Sequence, residues 1–177
     1  MAFYSNDVDV LIDEQTLMAR VRALGAQLER DFQGEELTLL GVLKGSVFFV
    51  TDLARAIDLP VQIEFLGVSS YQGGTETTGE VRITSDVTKP MAGKNIIVVE
   101  DIIDTGLTMK FLLENLASRH PKSLKICTLL EKPTRARTKV DIDYKGFVIE
   151  DRFVVGYGLD YGELYRNLPF IGVMKGK

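Results

Sequence analysis

The residues best suited to do chemistry are Glu100, Asp101 and Asp104, followed at once by Thr105-Gly106-Leu107-Thr108. The adjacent acids come after Ile96-Ile97-Val98-Val99, a β-branched apolar run that fits a strand buried on both faces at the centre of a parallel sheet. Two carboxylates buried there without partners would be strongly destabilising, so the strand should end at a cleft mouth where ligands or donors meet them. Open α/β sheets bind ligands at that end of their strands. Asp104 to Thr108 is a tight loop of mostly small and polar residues, and Met109 to Leu116 then has the pattern of a helix. The first N–H groups of such a helix lack intrahelical acceptors and make an anion site. A place for hydroxyls or a metal thus lies beside a place for a phosphate. The bland alternative is a buried strand, an acidic turn and a helix cap.

These residues must be held by the rest of the chain. Asp13 can cap a helix whose apolar Leu17, Val21, Leu24 and Leu28 recur at helical spacing, with Gly34 as its stop. Leu37 to Leu43 reads as a second buried strand, running into Lys44-Gly45-Ser46 and a helix over Val47 to Ile57. That turn can offer backbone N–H groups and an ammonium to a phosphate. Val61 to Val68 reads as a strand ending in Ser69-Ser70-Tyr71, and Val81 to Thr84 as another, with a polar excursion between them. Such an excursion is either a lid or an idle tip. Leu124 to Leu130 is a further strand, leading into Glu131-Lys132-Pro133-Thr134 and a basic run, Arg135 to Lys139, read as a solvated loop. Strands alternating with helices predict a mostly parallel α/β sheet with right-handed crossovers. The last third lacks long helices, and Gly146 to Ile149, Phe153 to Gly158 and Phe170 to Met174 are expected to form a small hood, joined by N-terminal residues.

A chain of 177 residues fits one domain, here with a core over about residues 35–150 and the hood over about 151–177 plus the N-terminus. A net charge of −4 opposes a broad nucleic-acid footprint. No apolar stretch reaches the ~20 residues that span a bilayer, and the N-terminus has no export pattern, so a cytoplasmic protein is expected. The one cysteine, Cys127, lies in an apolar run and reads as a buried thiol. His120, the one histidine, precedes Pro121 and reads as a cap or surface residue.

The run Val98 to Thr108 resembles the phosphoribosyl-diphosphate (PRPP) signature of the type I phosphoribosyltransferases, and with Asp104 it resembles their 6-oxopurine branch. The resemblance extends from Lys44-Gly45 to Arg166. It implies the type I phosphoribosyltransferase fold and a purine-salvage reaction, in which PRPP and hypoxanthine or guanine give IMP or GMP and pyrophosphate with Mg²⁺. It implies that Asp104, Thr105, Gly106, Leu107 and Thr108 hold the 5′-phosphate, with Asp104 also the general base at purine N7. Many relatives carry Lys at Leu107, so one cation near the phosphate is missing here. Glu100 and Asp101 resemble the ribose-holding acids and, with Asp160, the acids that reach Mg²⁺. Lys44, Gly45 and Arg166 resemble the pyrophosphate contacts. Lys132, Phe153 and Val154 resemble the purine site, which Asp160 also borders; Lys132 can donate to a 6-oxo oxygen but offers nothing to a 6-amino group. Ser69, Ser70 and Tyr71 resemble a catalytic flap. The resemblance also implies a homodimer or homotetramer, with no nucleic-acid or membrane partner.

Two rivals have their own signatures. An RNA-binding pyrimidine regulator shares the PRPP fold but carries Tyr in place of Asp104 and a basic surface. A nucleotide hydrolase or kinase would need a Gly-x-x-x-x-Gly-Lys-Ser/Thr loop or the spaced acid pair of a phosphoaspartyl phosphatase, and the sequence has neither.

Overall fold

The computed structural model of the chain describes residues 7–70 and 81–176. Its centre is a six-stranded sheet. The strands that build it are β2 (Leu37–Leu43), β3 (Val61–Ser70), β4 (Val81–Ser85), β5 (Asn95–Ile103), β6 (Ser123–Glu131) and β7 (Tyr144–Val148). They lie in the order β4-β3-β2-β5-β6-β7, all parallel except β4, which pairs antiparallel with β3 at one edge.

Both faces are covered, which is why the central strands are apolar without a break. Helices α1 (Glu14–Asp31) and α2 (Val47–Arg55) pack on one face with Ile97 and Val99 of β5. Helix α3 (Leu107–Ala117) packs on the other with Ile96 and Val98. The alternation of β5 side chains thus serves two cores at once. Asp13 caps α1 by accepting the Thr16 N–H at 2.7 Å. The helix ends at Asp31, ahead of Gly34, whose φ of +78° turns the chain afterwards. Cys127 is fully buried, as expected, and His120 is exposed.

From β2 the chain passes through α2 to β3 on one side, whereas β5 passes through α3 to β6 on the other. The strand order therefore reverses between β2 and β5, and a crevice opens outside their carboxyl ends.

A second, three-stranded antiparallel sheet of β1 (Val8–Ile12), β9 (Ile171–Met174) and β8 (Val154–Val155) forms the hood around Val8, Val155, Leu168 and Met174. Gly146 to Ile149 does not belong to it. β7 extends the main sheet beside β6, reached through a loop with a single 3-10 turn, Pro133–Arg135, in place of a crossover helix. Tyr144, 2% exposed, anchors the strand by donating to Asp31 Oδ2 at 2.8 Å. Gly146 lets the backbone lie against Leu129, where a Cβ would strike its carbonyl. Without a helical pattern before it, the strand offers no sequence sign of a parallel crossover. Among the described residues no helix is long and apolar enough to cross a membrane.

Candidate active site

Three chain segments meet at the crevice. β5 runs through the acid pair to Ile103, so Glu100 and Asp101 are strand residues and Asp104 is the first beyond it. Asp101 is 8% exposed and its Oδ1 accepts the Ile102 N–H at 3.0 Å. Burial pushes both carboxyls up; the charge of Asp101 adds to the rise at Glu100, while the Ile102 N–H and the Arg166 charge temper that of Asp101. Glu100 lines a cavity of about 230 Å³ together with Val68, Ile103, Asp104, Gly106 and Thr108.

The loop after β5 turns into α3 at Gly106, whose φ of +79° is accessible to glycine without strain. A Cβ there would stand 2.7 Å from the Thr138 carbonyl oxygen. The N–H groups of Arg137 and Thr138 both donate to the Thr105 carbonyl, at 3.0 and 3.2 Å. The basic run is therefore exposed, as expected, yet its backbone braces the anion loop from behind. It also brings Arg135 Nε to 3.0 Å from Asp104 Oδ1 as an ion pair without hydrogen-bond alignment.

The turn after β2 is seated by Ser46, fully buried, whose hydroxyl donates to the Val42 carbonyl at 2.7 Å. Gly45 lies on the Asp101 carboxylate: a Cβ would stand 2.5 Å from Cγ and nearer still to Oδ2. On the other side, a Cβ on Gly158 of the hood loop would overlap the Gly45 carbonyl, and Gly158 has a φ of +103°. The stack Asp101, Gly45, Gly158 thus ties β5, the β2 turn and the hood together. Tyr157 fixes the hood loop from below by donating its hydroxyl to Asp52 Oδ2 at 2.7 Å.

Arg166 donates to the Gly158 carbonyl at 2.6 Å, and its Nη2 lies 2.8 Å from Asp160 Oδ1. Lys44 projects to Glu163, its Nζ donating to Oε2 at 2.8 Å. Lys132 is 7% exposed; its N–H donates to Ile103 and its Nζ lies 3.7 Å from Asp151 Oδ1. The same Asp151 oxygen lies 3.5 Å from Arg135 Nη1. Phe153 is 42% exposed and stands edge-on to Tyr161, with ring centroids 5.7 Å apart, whereas Val154 is buried in β8. Ser69 and Ser70 end β3, opposite Arg82 and Val81. Tyr71 lies outside the described residues.

Among the described residues, three buried side-chain atoms have no hydrogen-bond partner: Glu100 Oε2, Asp104 Oδ1 and Arg166 Nε. All belong to residues assigned to this site from the sequence. Buried polar atoms are almost always paired, so their gathering here marks a place for a ligand. No three His, Cys, Asp or Glu side chains among the described residues converge as a ready-made metal site.

The phosphoribosyl transferase domain model matches residues 7–162. The chain belongs to that family. A Staphylococcus aureus hypoxanthine-guanine phosphoribosyltransferase is 49% identical over 171 residues, covering 96% of either chain. One from Mycobacterium avium is 48% identical over 178 residues, covering 97% of this chain and 88% of the relative. The fold matches the crystal structure of a Bacillus anthracis hypoxanthine-guanine phosphoribosyltransferase with a TM-score of 0.90 at 50% identity, over 94% of this chain and 98% of that one. The mostly parallel sheet with flanking helices is thus the phosphoribosyltransferase fold that the PRPP-like loop led us to expect.

Four members of this phosphoribosyltransferase site escaped the sequence reading: Arg135, Asp151, Tyr157 and Glu163. The first is placed by strand register and carries no local signal. β5 and β6 are neighbours with Ile103 opposite Glu131, so residues just past Glu131 must face residues just past Ile103.

Proposed function

We propose that this phosphoribosyltransferase is a hypoxanthine-guanine phosphoribosyltransferase, moving the 5-phosphoribosyl group of PRPP to N9 of hypoxanthine or guanine and yielding IMP or GMP and pyrophosphate. The observation that carries the reading is the convergence of the Lys44-Gly45 turn, the Glu100 to Thr108 segment and the hood's Asp160 and Arg166 on one crevice. The names of its relatives, at about half identity over nearly the whole chain, support the same reaction.

In this reading the 5′-phosphate rests on Asp104 to Thr108, held by the N–H groups at the start of α3 and the Thr105 and Thr108 hydroxyls. Glu100 and Asp101 take the ribose hydroxyls. Lys44, Gly45 and Arg166 take the pyrophosphate, stabilising the negative charge that gathers there as the C–N bond forms. Asp104 accepts the N7 proton, and Lys132 donates to the 6-oxo oxygen. Phe153 stacks on the base, with Val154 at its edge. Ser69, Ser70 and Tyr71 close over the site, excluding the water that would otherwise attack the ribosyl carbon.

Mg²⁺ fits the donor set. The unpartnered Glu100 Oε2, and two carboxyls that burial chiefly holds toward protonation, suit a cation, and Mg²⁺ needs only one or two carboxylates beside substrate phosphates and water. Glu100 and Asp101 would hold it on the ribose side and Asp160 on the pyrophosphate side, and it would supply positive charge against that of the leaving group. The reading extends to a cytoplasmic homodimer or homotetramer, which sedimentation of the purified protein tests.

The deciding experiment offers PRPP and Mg²⁺ with hypoxanthine, guanine, xanthine, adenine or uracil. Nucleotide should form from hypoxanthine and guanine, stop on chelation of the metal, and not form from adenine. No nucleotide from any base, with leader RNA of a pyrimidine operon bound instead, would overturn the proposal in favour of the RNA-binding regulator.

A further inference from the structure

Lys44 and Arg166, the two cations given above to pyrophosphate, are already engaged. Glu163 lies between them, with Oε2 accepting from Lys44 Nζ at 2.8 Å and Oε1 lying 3.5 Å from Arg166 Nη2. A glutamate whose side chain is 66% exposed usually ranges through solvent, because holding it costs rotamer entropy for little return. This one is held by its backbone. Its N–H donates to Asp160 Oδ2 at 2.9 Å, and its φ is +67°, a left-handed conformation uncommon for glutamate. Asp160 in turn holds Arg166 through its other oxygen, at 2.8 Å. The turn from Asp160 to Arg166 therefore fixes one carboxylate against both cations. The Lys44 contact in particular holds the Glu163 carboxyl below its ordinary range.

We propose that Glu163 is an internal counter-anion of the pyrophosphate site: its carboxylate spans Lys44 and Arg166 when the site is empty, yields to the pyrophosphate of PRPP, and returns as the product pyrophosphate leaves. The inference rests on the assignment of Lys44 and Arg166 to pyrophosphate. Binding is then an exchange of one anion for another. Pyrophosphate carries more charge and prevails, but with less net gain than at two bare cations, and each departing pyrophosphate is replaced by a carboxylate already in position. Glu163 thereby lowers affinity for PRPP and pyrophosphate and speeds product release, without touching the base.

The test is Glu163→Gln, which keeps shape and backbone and removes the charge. Titration of pyrophosphate with Mg²⁺ into the base-free enzyme should give a dissociation constant lowered about three- to tenfold, the effect of two exposed charge pairs. The KM for PRPP should fall with it and the KM for hypoxanthine should not. In a Lys44→Met background the same substitution should tighten pyrophosphate less, because half the exchange is already gone. A residue that only braced the turn would give the opposite sign, with weaker pyrophosphate binding in Glu163→Gln. Unchanged or weaker binding in that variant, with the unsubstituted enzyme binding pyrophosphate and making nucleotide, overturns the counter-anion. If the unsubstituted enzyme neither binds pyrophosphate nor makes nucleotide, the functional reading fails first.

Discussion

Replacing Gly45 with alanine probes the contact on which the site is assembled. The new Cβ would stand 2.5 Å from Asp101 Cγ, where carbon atoms ordinarily rest about 3.5–4.0 Å apart, so a gap of about 1 Å or more must open. Asp101 has little freedom to give way, being 8% exposed and tied to the Ile102 N–H. The turn cannot rise freely either, because Gly158 of the hood lies directly on the Gly45 carbonyl. Overpacking of this kind costs about 1–3 kcal/mol, which in a domain of this size lowers Tm by roughly 2–12 °C. The loss of activity should be larger, since a 1 Å displacement of binding groups is enough for about 10²-fold in rate. Thermal melts and kcat/KM for hypoxanthine with saturating PRPP measure the two separately. Gly93→Ala is the control: nothing lies within 4 Å of the new Cβ, but its φ of +73° adds strain of about 1–2 kcal/mol, so it should lose stability and keep turnover. A Gly45→Ala enzyme with unsubstituted kcat/KM would show that the Asp101 to Gly158 stack does not set the site.

Asp104→Asn should lower kcat about 10²- to 10⁴-fold, the usual worth of a general base, while KM for PRPP changes little; an unchanged rate removes Asp104 from proton transfer. Lys132→Gln should cut kcat/KM for hypoxanthine by about 10²-fold and narrow the gap to adenine, because the amide can accept from a 6-amino group; unchanged base preference would locate base selection elsewhere. Glu100 has a carboxyl pushed up by burial, so its folded form holds a proton that the unfolded chain has released; stability should fall as pH rises from the ordinary carboxylate range toward the folded pKa and level off above it. Glu100→Gln should flatten that decline and raise the free protein's stability by about 1–3 kcal/mol at neutral pH while weakening catalysis. Urea titrations across pH check it, and equal pH dependence in both proteins would show that the Glu100 charge carries no folding cost.

What the sequence made legible was local. Ile96 to Val99 are apolar without interruption because alternate side chains feed two different cores, and that pattern needs no knowledge of what packs there. Gly106 and the threonines around it announce a tight turn before a helix in the same way. What stayed hidden depends on residues far apart in the chain. Nothing near Gly45 signals that it lies under Asp101, because the contact is set by how β2 and β5 sit side by side. Arg135 sits in a run of solvated appearance, and most of that run is exposed. Its nearness to Asp104 follows from the register of β5 against β6. β7 was misplaced because a short strand reached by an irregular loop has no crossover helix to betray it.

The charges of the site explain why its parts come from separate elements. A strand carrying two adjacent acids to the crevice leaves Glu100 Oε2 without a hydrogen bond and Asp101 with the Ile102 N–H, and both carboxyls are held toward protonation. Arg166 reaches Asp101 only as a field, since its guanidinium hydrogen-bonds the Gly158 carbonyl and Glu163 and pairs with Asp160. Each cation around the crevice is likewise balanced by an acid, Lys44 by Glu163, which Arg166 shares, and Lys132 by Asp151, which Arg135 shares. Charges so paired keep their orientation while the site is empty, and the pairs at Lys44 and Lys132 are exposed or long enough to be exchanged for substrate at small cost. The Glu100 and Asp101 pair differs, because among the described residues no cation is paired with it. On the proposed function, the Lys44 and Lys132 loops would trade anions with substrate, and the strand side would take donors or a cation.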